Sequence, residues 1–533
     1  MKTRGRLVAV VIALLAVLLS VGIPSLAGKE NTLTVAIRNW DYDTLDPHIS
    51  AFTQSMWMVN CFTDTLVRIG PDGKFSAGLA SSWESRDGAK VWVFHLRQGV
   101  TFHDGTPWNG QALVDNFERV RAPETKSLRY VDKLKGLVEM KIVDPMTVEL
   151  IFDSPKPGFL LALSEPICGF LSPTAFKNPA NVKSSAKLKG TGPYILAEEI
   201  YQQKVTFVKN SNYNWGPEFA AHKGPANIDN IVWRFIPEDE TRLAALQTEE
   251  VDLIDEVAPA EIAHVRADPK FNILFYYKPG IAQVYHLNAT LPPTNDLAVR
   301  RAIQYAIDQK TIAETIFMGS RPPAYGLFMP PSPYYNKDIE NMYTYDPEKA
   351  IQILEEAGWV DPTGTGTGTR QKDGKLLIID FVTYPGFVAE APAEMAQAML
   401  HKVGIQMNIT VLTGGAMMEQ CGMKDSTWNS CLCGDSAIDS AMEAYYFCYS
   451  ESIGMYNFAH YTTPELDNLI NTALQTTDEA VKDHALKEIQ RIWMEQALCK
   501  PIVCSTNVWG ANARVQGVSF LLDGTPTFYD AKF

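Results

Sequence analysis

The sequence predicts a mixed α/β protein of two or three packed domains, and three observations lead to that prediction. The chain has 533 residues, which is too long for one hydrophobic core. Hydrophobic residues make up 46% and charged residues 20%, an ordinary balance for a folded protein. Segments with the alternation of β-strands are mixed with segments that have the period of amphipathic helices.

The N-terminal segment predicts a secretory signal peptide over residues 1–27. Lys2, Arg4 and Arg6 form a positive region, residues 7–21 are apolar apart from one serine, and residues 25–27 (SLA) offer small residues for cleavage. The alternative is an uncleaved anchor, but the apolar run is short for a membrane span. The residue directly after Ala27 is not a cysteine, so a lipid anchor at the cleavage site is not supported. We therefore expect an exported, periplasmic protein that is not a lipoprotein.

Alternation predicts strands, and apolar stripes between capping signals predict helices. The strands are expected at residues 32–38, 91–96, 147–152, 205–208 and 231–236. Asp296, Asp346 and Thr463 are helix-capping residues, the last two followed directly by proline. They predict helices over residues 296–317, 346–358 and from 463, and a further helix is expected over 478–497. Residues 362–369, which alternate glycine and threonine after a proline, predict a surface loop.

The charge of the chain argues against nucleic acid and anionic membranes as partners. The formal net charge is -14, and removal of the three basic residues of the predicted signal peptide leaves 44 basic against 61 acidic residues, near -17. A strongly acidic protein repels phosphate groups.

Eight cysteines leave two structural alternatives open. They are Cys61, Cys168, Cys421, Cys431, Cys433, Cys448, Cys499 and Cys504. An even number in an exported chain favours disulfides, with a short loop closed by Cys499 and Cys504 and two further bridges among the four residues 421–448. Unpaired buried thiols are the alternative. A zinc site is disfavoured because the paired Cys-x-x-Cys spacing is missing.

An ordered series of motifs resembles the extracellular solute-binding proteins of the peptide, opine and nickel class (family 5). The matching segments, which span most of the chain, are residues 44–48 (TLDPH), 64–68 (DTLVR), 78–84 (GLASSWE), 92–97 (WVFHLR), 99–107 (GVTFHDGTP), 190–194 (GTGPY), 299–308 (VRRAIQYAID), 345–350 (YDPEKA) and 356–359 (EAGW).

The resemblance implies a two-lobed periplasmic binding protein of class II type with an extra subdomain in its first lobe. The expected boundaries are residues 28–65, 190–284 and 506–533 for the first lobe, 66–189 for the subdomain and 285–505 for the second lobe. It also implies that a monomeric chain closes on a solute without changing it chemically and delivers it to the membrane permease subunits of an ABC importer. The solute is expected to be an oligopeptide or dipeptide, with a nickel chelate or an oligosaccharide as alternatives.

A cleft that desolvates a solute needs aromatic surface and a few placed polar groups. The candidate ligand-binding residues of the first lobe are Trp40, Phe52 and Thr53, with Tyr42 beside them. Those of the second lobe are Tyr384, Phe387 and Tyr445. Each aromatic side chain has core packing as its alternative role.

The sharpest predicted site is Gly434-Asp435, at the start of an acidic loop that resembles the one in peptide-binding members. There an aspartate accepts the α-amino group of the ligand, and Asp435 is assigned that role. A turn or helix-capping role is the alternative. The chain departs from the family pattern because residues 431–433 lack the usual tryptophan and residues 383–392 contain no arginine. Both departures count against strict dipeptide specificity.

The sequence offers no catalytic motif and no resident cofactor or metal. It contains no Gly-x-Ser-x-Gly elbow, no His-Glu-x-x-His and no phosphate-binding Gly-Lys-Ser/Thr loop. Its nine histidines are scattered, with His401 and His460 as the second-lobe candidates for a metal. We therefore expect a binding protein and not an enzyme, with a secreted hydrolase as the remote alternative.

Overall fold

The structure is a computed structural model that describes residues 31–38, 42–50, 52–70, 73–178, 187–364, 366 and 368–533. For residue 387 it describes the backbone alone. The predicted signal peptide and Trp40 lie outside the described residues.

The strands, in chain order, are β1 Thr32–Ile37, β2 Val67–Ile69, β3 Phe75–Ala77, β4 Ala80–Arg86, β5 Val91–Leu96, β6 Leu137–Asp144, β7 Thr147–Phe152, β8 Tyr194–Ile200, β9 Lys204–Lys209, β10 Asn230–Phe235, β11 Leu253–Ile254, β12 Phe271–Tyr277, β13 Ile281–Leu287, β14 Gln371–Lys372, β15 Lys375–Leu376, β16 Ile378–Thr383, β17 Gln406–Val411, β18 Ser430–Asp435, β19 Cys499–Val503, β20 Thr506–Asn512, β21 Ser519–Phe520 and β22 Pro526–Thr527.

The α-helices are α1 Thr53–Phe62, α2 Gly110–Arg121, α3 Tyr130–Lys133, α4 Phe159–Ala162, α5 Pro173–Phe176, α6 Asp239–Gln247, α7 Ile262–Ala267, α8 Leu297–Ala306, α9 Gln309–Thr315, α10 Pro347–Glu356, α11 Phe387–Lys402, α12 Gly414–Gly422, α13 Ser440–Cys448, α14 Pro464–Gln475 and α15 Glu479–Glu495.

Two large sheets organise the molecule. The seven-stranded sheet has the order β12-β20-β11-β1-β10-β9-β8, and we call the part built on it the first lobe. The five-stranded sheet has the order β17-β16-β18-β13-β19, and the part built on it is called the second lobe. A four-stranded sheet, β4-β5-β7-β6, forms the subdomain. Its apolar side chains share one continuous core with those of β1, β9 and β10, so the subdomain packs on the first lobe.

The chain passes between the two large sheets from β12 to β13 and again from β19 to β20. The two connections lie side by side, since the backbone N–H of Lys278 donates to the carbonyl oxygen of Ser505 at 3.1 Å. Paired short connections of this kind form a hinge about which two lobes can rotate.

The five-stranded sheet has helices packed on both of its faces, so its buried side chains contribute to two hydrophobic cores. In β18 the side chains of Cys431 and Cys433 enter the core formed with α13, α14 and α15. Leu432, between them, enters the opposite core, formed with α8, α10 and α11. Alternate residues of one strand therefore serve two cores.

The predicted strands are confirmed to within one residue at each end, and so are the caps of α10 and α14. The single helix predicted over residues 296–317 is wrong, because the chain forms α8 and α9 with a break at Ile307. Ile307 is extended, and the Asp308 side chain accepts hydrogen bonds from the N–H groups of Lys310 and Thr311. A second capping residue inside an apolar stripe thus starts a new helix.

The disulfide alternative is also wrong: all eight cysteines are buried and free, as the second alternative had it. Cys499 begins strand β19, and Cys504 follows its last residue. The five residue steps of extended chain between them separate their Cα atoms by about 16 Å. A disulfide needs less than about 7 Å.

Candidate functional site

Three adjoining cavities lie between the lobes and define the candidate binding cleft. The central cavity has a volume of about 270 Å³ and lies beside the hinge, between α1 and the start of α11. The small cavity measures about 80 Å³ and is enclosed by the N-terminal end of α1, by the subdomain and by α13. The outer cavity, of about 440 Å³, lies between the subdomain and the helices α13 and α14. Thr53 and Ser436 line both the central and the small cavity, so the two are neighbours.

Two glycines, Gly280 and Gly434, allow the acidic loop to lie at this cleft. Gly434 has no side chain because a Cβ there would lie 2.6 Å from the carbonyl oxygen of Ala282 on the neighbouring strand. Gly280 has a φ of 111°, and its Cβ would lie 2.5 Å from the carbonyl oxygen of Asp435. Close backbone approach at both glycines brings the end of β18 against the hinge. Gly434 therefore has a packing role in this structure.

The loop after β18 ends at the cap of α13. The Asp439 side chain accepts hydrogen bonds from the N–H groups of Ala441 and Met442 at 3.1 and 3.2 Å. The capping role belongs to Asp439 and not to Asp435. Asp435 is half-buried, and its Oδ1 accepts from the N–H of Ser436 at 2.7 Å. It stands one residue before the loop that lines the central and small cavities.

The structure brings several of the predicted residues to the cleft. Phe52 and Thr53 line the small cavity at the start of α1. Tyr384 lines the central cavity, and its hydroxyl donates to Oε1 of Gln283 at 3.3 Å. Tyr445 lines the outer cavity, where its ring stacks on that of Tyr449 at 5.0 Å between centroids. That these side chains contact the ligand stays a prediction.

Other predicted residues lie elsewhere or outside the described part of the chain. Tyr42 is buried against Phe235, with ring centroids 4.9 Å apart, so it is a core residue. Trp40 and the side chain of Phe387 are not among the described residues.

The central cavity carries a network of ion pairs. Glu256 of the first lobe pairs with Arg38 at 3.2 Å and with Arg321 of the second lobe at 2.7 Å. Burial favours the neutral acid, but the charges of Arg321 and Arg38 outweigh it and hold the pKa of Glu256 below its usual value. The neighbouring Asp255, paired with Arg38 and Arg242, shows the opposite balance, since burial raises its pKa to about 6.

Sequence reasoning missed most of the charged residues of the cleft, among them Arg129, Lys278 and Glu443. Arg129 precedes the short helix α3, and Lys278 lies in the hinge, where no local pattern marks them. Glu443 had a usable signal, because it is the single charged residue of the otherwise apolar helix α13 and follows the acidic loop directly.

The described residues show neither a metal-binding cluster nor a membrane-spanning helix. They contain no group of three or more His, Cys, Asp or Glu side chains placed to hold a metal ion. His460 is buried, and its Nε2 lies 3.2 Å from the carbonyl oxygen of Cys421. In the described part of the chain no helix has both the length and the apolar character needed to cross a membrane.

Comparison with known proteins identifies a matching family, similar sequences and similar structures. Residues 74–453 match the family model for bacterial extracellular solute-binding proteins, family 5. The glutathione-binding protein GsiB of Salmonella typhi is 29% identical over 518 residues, which cover 95% of each chain. The structure of NikA from Brucella suis in complex with Fe(III)-EDTA superposes with a TM-score of 0.82 and 25% identity, covering 94% of this chain and 99% of that one.

The fold alone is shared with the periplasmic binding protein DppA from Helicobacter pylori in complex with the peptide STSA. Its TM-score is 0.75 at 24% identity, with 94% of this chain and 98% of that chain covered. These similarities confirm the predicted mixed α/β, two-lobed fold and the predicted family.

Proposed function

Since the chain belongs to the bacterial extracellular solute-binding proteins of family 5, the binding components of ABC importers, we propose that its own solute is a short peptide. The lobes close around that solute, and the closed form delivers it to the permease in the membrane. Ligand that contacts both lobes stabilises the closed form over the open one.

The main support for the peptide proposal is the position of the Asp435 carboxylate. This carboxylate stands at the end of β18, half-buried, with Oδ1 bound to the Ser436 N–H. A carboxylate in such a position forms a strong, orienting contact with the ammonium group of a peptide. Thr53 of the first lobe lies across the cavities that Ser436 lines, so a peptide bound at the acidic loop would touch both lobes.

The relatives support the same choice. GsiB is named as a glutathione-binding protein, and the DppA structure contains the peptide STSA. The proposal includes lobe boundaries near those expected from the sequence, with all of β13 in the second lobe. It also includes export to the periplasm with removal of residues 1–27, a monomeric state and release of the solute unchanged.

Thermal unfolding of the purified full chain tests the peptide proposal. Ligand that binds only the folded protein raises the melting temperature, and a concentration 100-fold above Kd contributes about 2.7 kcal/mol. We expect pools of di-, tri- and tetrapeptides to raise the melting temperature. A shift with nickel-histidine or an oligosaccharide, and none with any peptide pool, would contradict the proposal.

A further inference from the structure

The small cavity is lined by an acid, Glu443, with one carboxyl oxygen that has no hydrogen-bond partner among the described residues. Glu443 lies in the first turn of α13 with 1% of its surface exposed, and its Oε2 is buried without a hydrogen-bond partner. Leaving a buried polar group unpaired costs about 1–3 kcal/mol, more if it is charged. Burial first, and the charge of Asp435 second, raise the pKa of Glu443 well above its usual value.

Arg129, which belongs to the subdomain, lines the same cavity. The side chain of Arg129 is exposed to the cavity and forms no ion pair with any described residue. Burial acts to lower its pKa, but the charges of Asp435, Glu165 and Glu443 outweigh burial and raise it, so these three carboxyl groups lie near its guanidinium. Lys133, on the same wall, differs because its Nζ is bound to Glu165 at 2.6 Å. The guanidinium group of Arg129 can therefore donate hydrogen bonds to an acceptor group of a ligand.

The arrangement suits a group with both charges close together. Arg129, a hydrogen-bond donor, and the Glu443 carboxyl group both line the small cavity, and Asp435 directly precedes the loop that lines it. Among the described residues, no hydrogen bond joins Arg129 to either carboxyl group. A guanidinium binds a carboxylate through two parallel hydrogen bonds. A zwitterion satisfies both the donor and the acceptors and leaves the net charge of the cavity unchanged. The terminal ammonium of an ordinary α-linked peptide would leave Arg129 without a carboxylate.

The volume limits the size of the group. About 80 Å³ accommodates a few non-hydrogen atoms, so the cavity holds a head group and not a whole peptide. The neighbouring central cavity, at about 270 Å³, has room for the rest.

Resting on the proposed peptide function, we propose that the small cavity binds an α-amino-acid head group whose ammonium and carboxylate stand on the same carbon. Arg129 binds the carboxylate, and Asp435 and Glu443 bind the ammonium. In a peptide, this head group occurs where the terminal residue is joined through its side chain, as in a γ-glutamyl peptide. The preferred solute is therefore a side-chain-linked peptide.

Two isomers of one tripeptide test this assignment by isothermal titration calorimetry of the full chain. In γ-Glu-Cys-Gly the α-carboxylate is free beside the ammonium, whereas in α-Glu-Cys-Gly it forms the peptide bond. We expect the γ-isomer to bind at least about tenfold more tightly, since one good charge-assisted contact is worth about that factor. Arg129→Gln should remove this preference by weakening the γ-isomer alone, and Glu443→Gln should weaken the γ-isomer as well.

The controls distinguish the head-group assignment from the proposed peptide-binding function. Arg121→Gln, an exposed arginine of the same subdomain that lines none of the three cavities, should leave both affinities unchanged. An α-isomer that binds as tightly as the γ-isomer, or an Arg129→Gln variant that weakens both isomers equally, overturns the head-group assignment. So does a failure of both isomers to bind while other peptides bind. If no peptide of any linkage binds, the proposed function itself is wrong.

Discussion

Arg321 of the second lobe donates from its Nη2 to Oε1 of Glu256 of the first lobe at 2.7 Å. Glu256 is also held by Arg38, so one carboxylate links a cation of its own lobe to a cation of the other. Both side chains of the interlobe pair are mostly buried, at 13% and 18% exposed. The pair lines the central cavity next to the hinge, where a small rotation of the lobes would separate it.

Arg321→Met should favour the open form. Loss of a hydrogen bond to a charged group is worth about 1.5 kcal/mol, which predicts a roughly tenfold loss of solute affinity. Small-angle scattering should show a larger radius of gyration for the ligand-free variant. Arg491→Met, which removes ion pairs within helix α15 alone, is the control and should change neither quantity. An unchanged affinity in Arg321→Met would show that the interlobe pair does not bias closure.

Asp435→Asn should weaken peptide binding strongly, since it removes the charge assigned to the ammonium group. We expect a loss of about tenfold to a hundredfold, the value of one charge-assisted hydrogen bond. Titration calorimetry with a peptide identified by thermal shift measures it. Asp425→Asn, at an exposed position of the second lobe, is the matched control. Equal affinities for Asp435→Asn and the unmodified chain would remove Asp435 from the site.

Gly280→Ala should damage the hinge more than a glycine substitution of similar backbone geometry elsewhere. At Gly280 a Cβ would lie 2.5 Å from the carbonyl oxygen of Asp435, whereas at Gly319, with a φ of 76°, nothing lies within 4 Å. Both variants carry the strain of a positive φ, about 1 kcal/mol or more. Gly280→Ala alone should also displace the acidic loop and weaken solute binding. Similar losses of affinity in both variants would mean that the close contact does not matter.

Stability should rise with pH because of a buried lysine. Burial lowers the pKa of Lys500 to about 7, while its Nζ donates to Gln309 Oε1 at 2.7 Å and to the carbonyl oxygen of Gln304 at 3.0 Å. An unfolded lysine has a pKa of about 10.4. Between about pH 7 and 10 the unfolded chain therefore binds more protons, and the free energy of unfolding should increase by up to about 1.4 kcal/mol per pH unit from this residue. Below about pH 7 the contribution is constant.

Urea unfolding at several pH values between 6 and 9, compared with Lys500→Met, isolates that contribution. The variant should be less stable overall, since two acceptors lose their donor, but its pH slope should be smaller. Lys402→Met, at an exposed position in the last turn of α11, should keep the original slope. A Lys500→Met slope equal to that of the unmodified chain would contradict the lowered pKa.

Asp64→Asn should destabilise the first lobe by about 3 kcal/mol, because it leaves Arg68 buried without a counter-charge. The Asp64 carboxylate accepts from Arg68 Nη2 at 2.7 Å, from the hydroxyls of Tyr213 and Thr191, and from Trp215 Nε1 at 2.9 Å. Calorimetric melting measures the loss. Asp87→Asn changes an exposed residue with a φ of 52°, which asparagine adopts readily, and should have no effect.

What the sequence determined by itself is local in the chain. Alternation located β1, β5 and β7, and the caps at Asp346 and Thr463 located α10 and α14, because strand period and capping depend on near neighbours. The family motifs, read in order, also predicted the two-lobed fold. Where two signals competed within one stretch, as at Asp308, the pattern failed to place the break between α8 and α9.

Only the tertiary structure decided which charges meet at the cleft. Arg129 comes from the subdomain, Lys278 from the hinge and Glu443 from the second lobe, and no spacing along the chain relates them. Phe52, Thr53 and Tyr384 could be proposed for the cleft in advance, whereas Tyr42 required the observed packing against Phe235 to be assigned to the core. The free energy of a buried charge depends on its partners in space, which the packing of the three sheets determines.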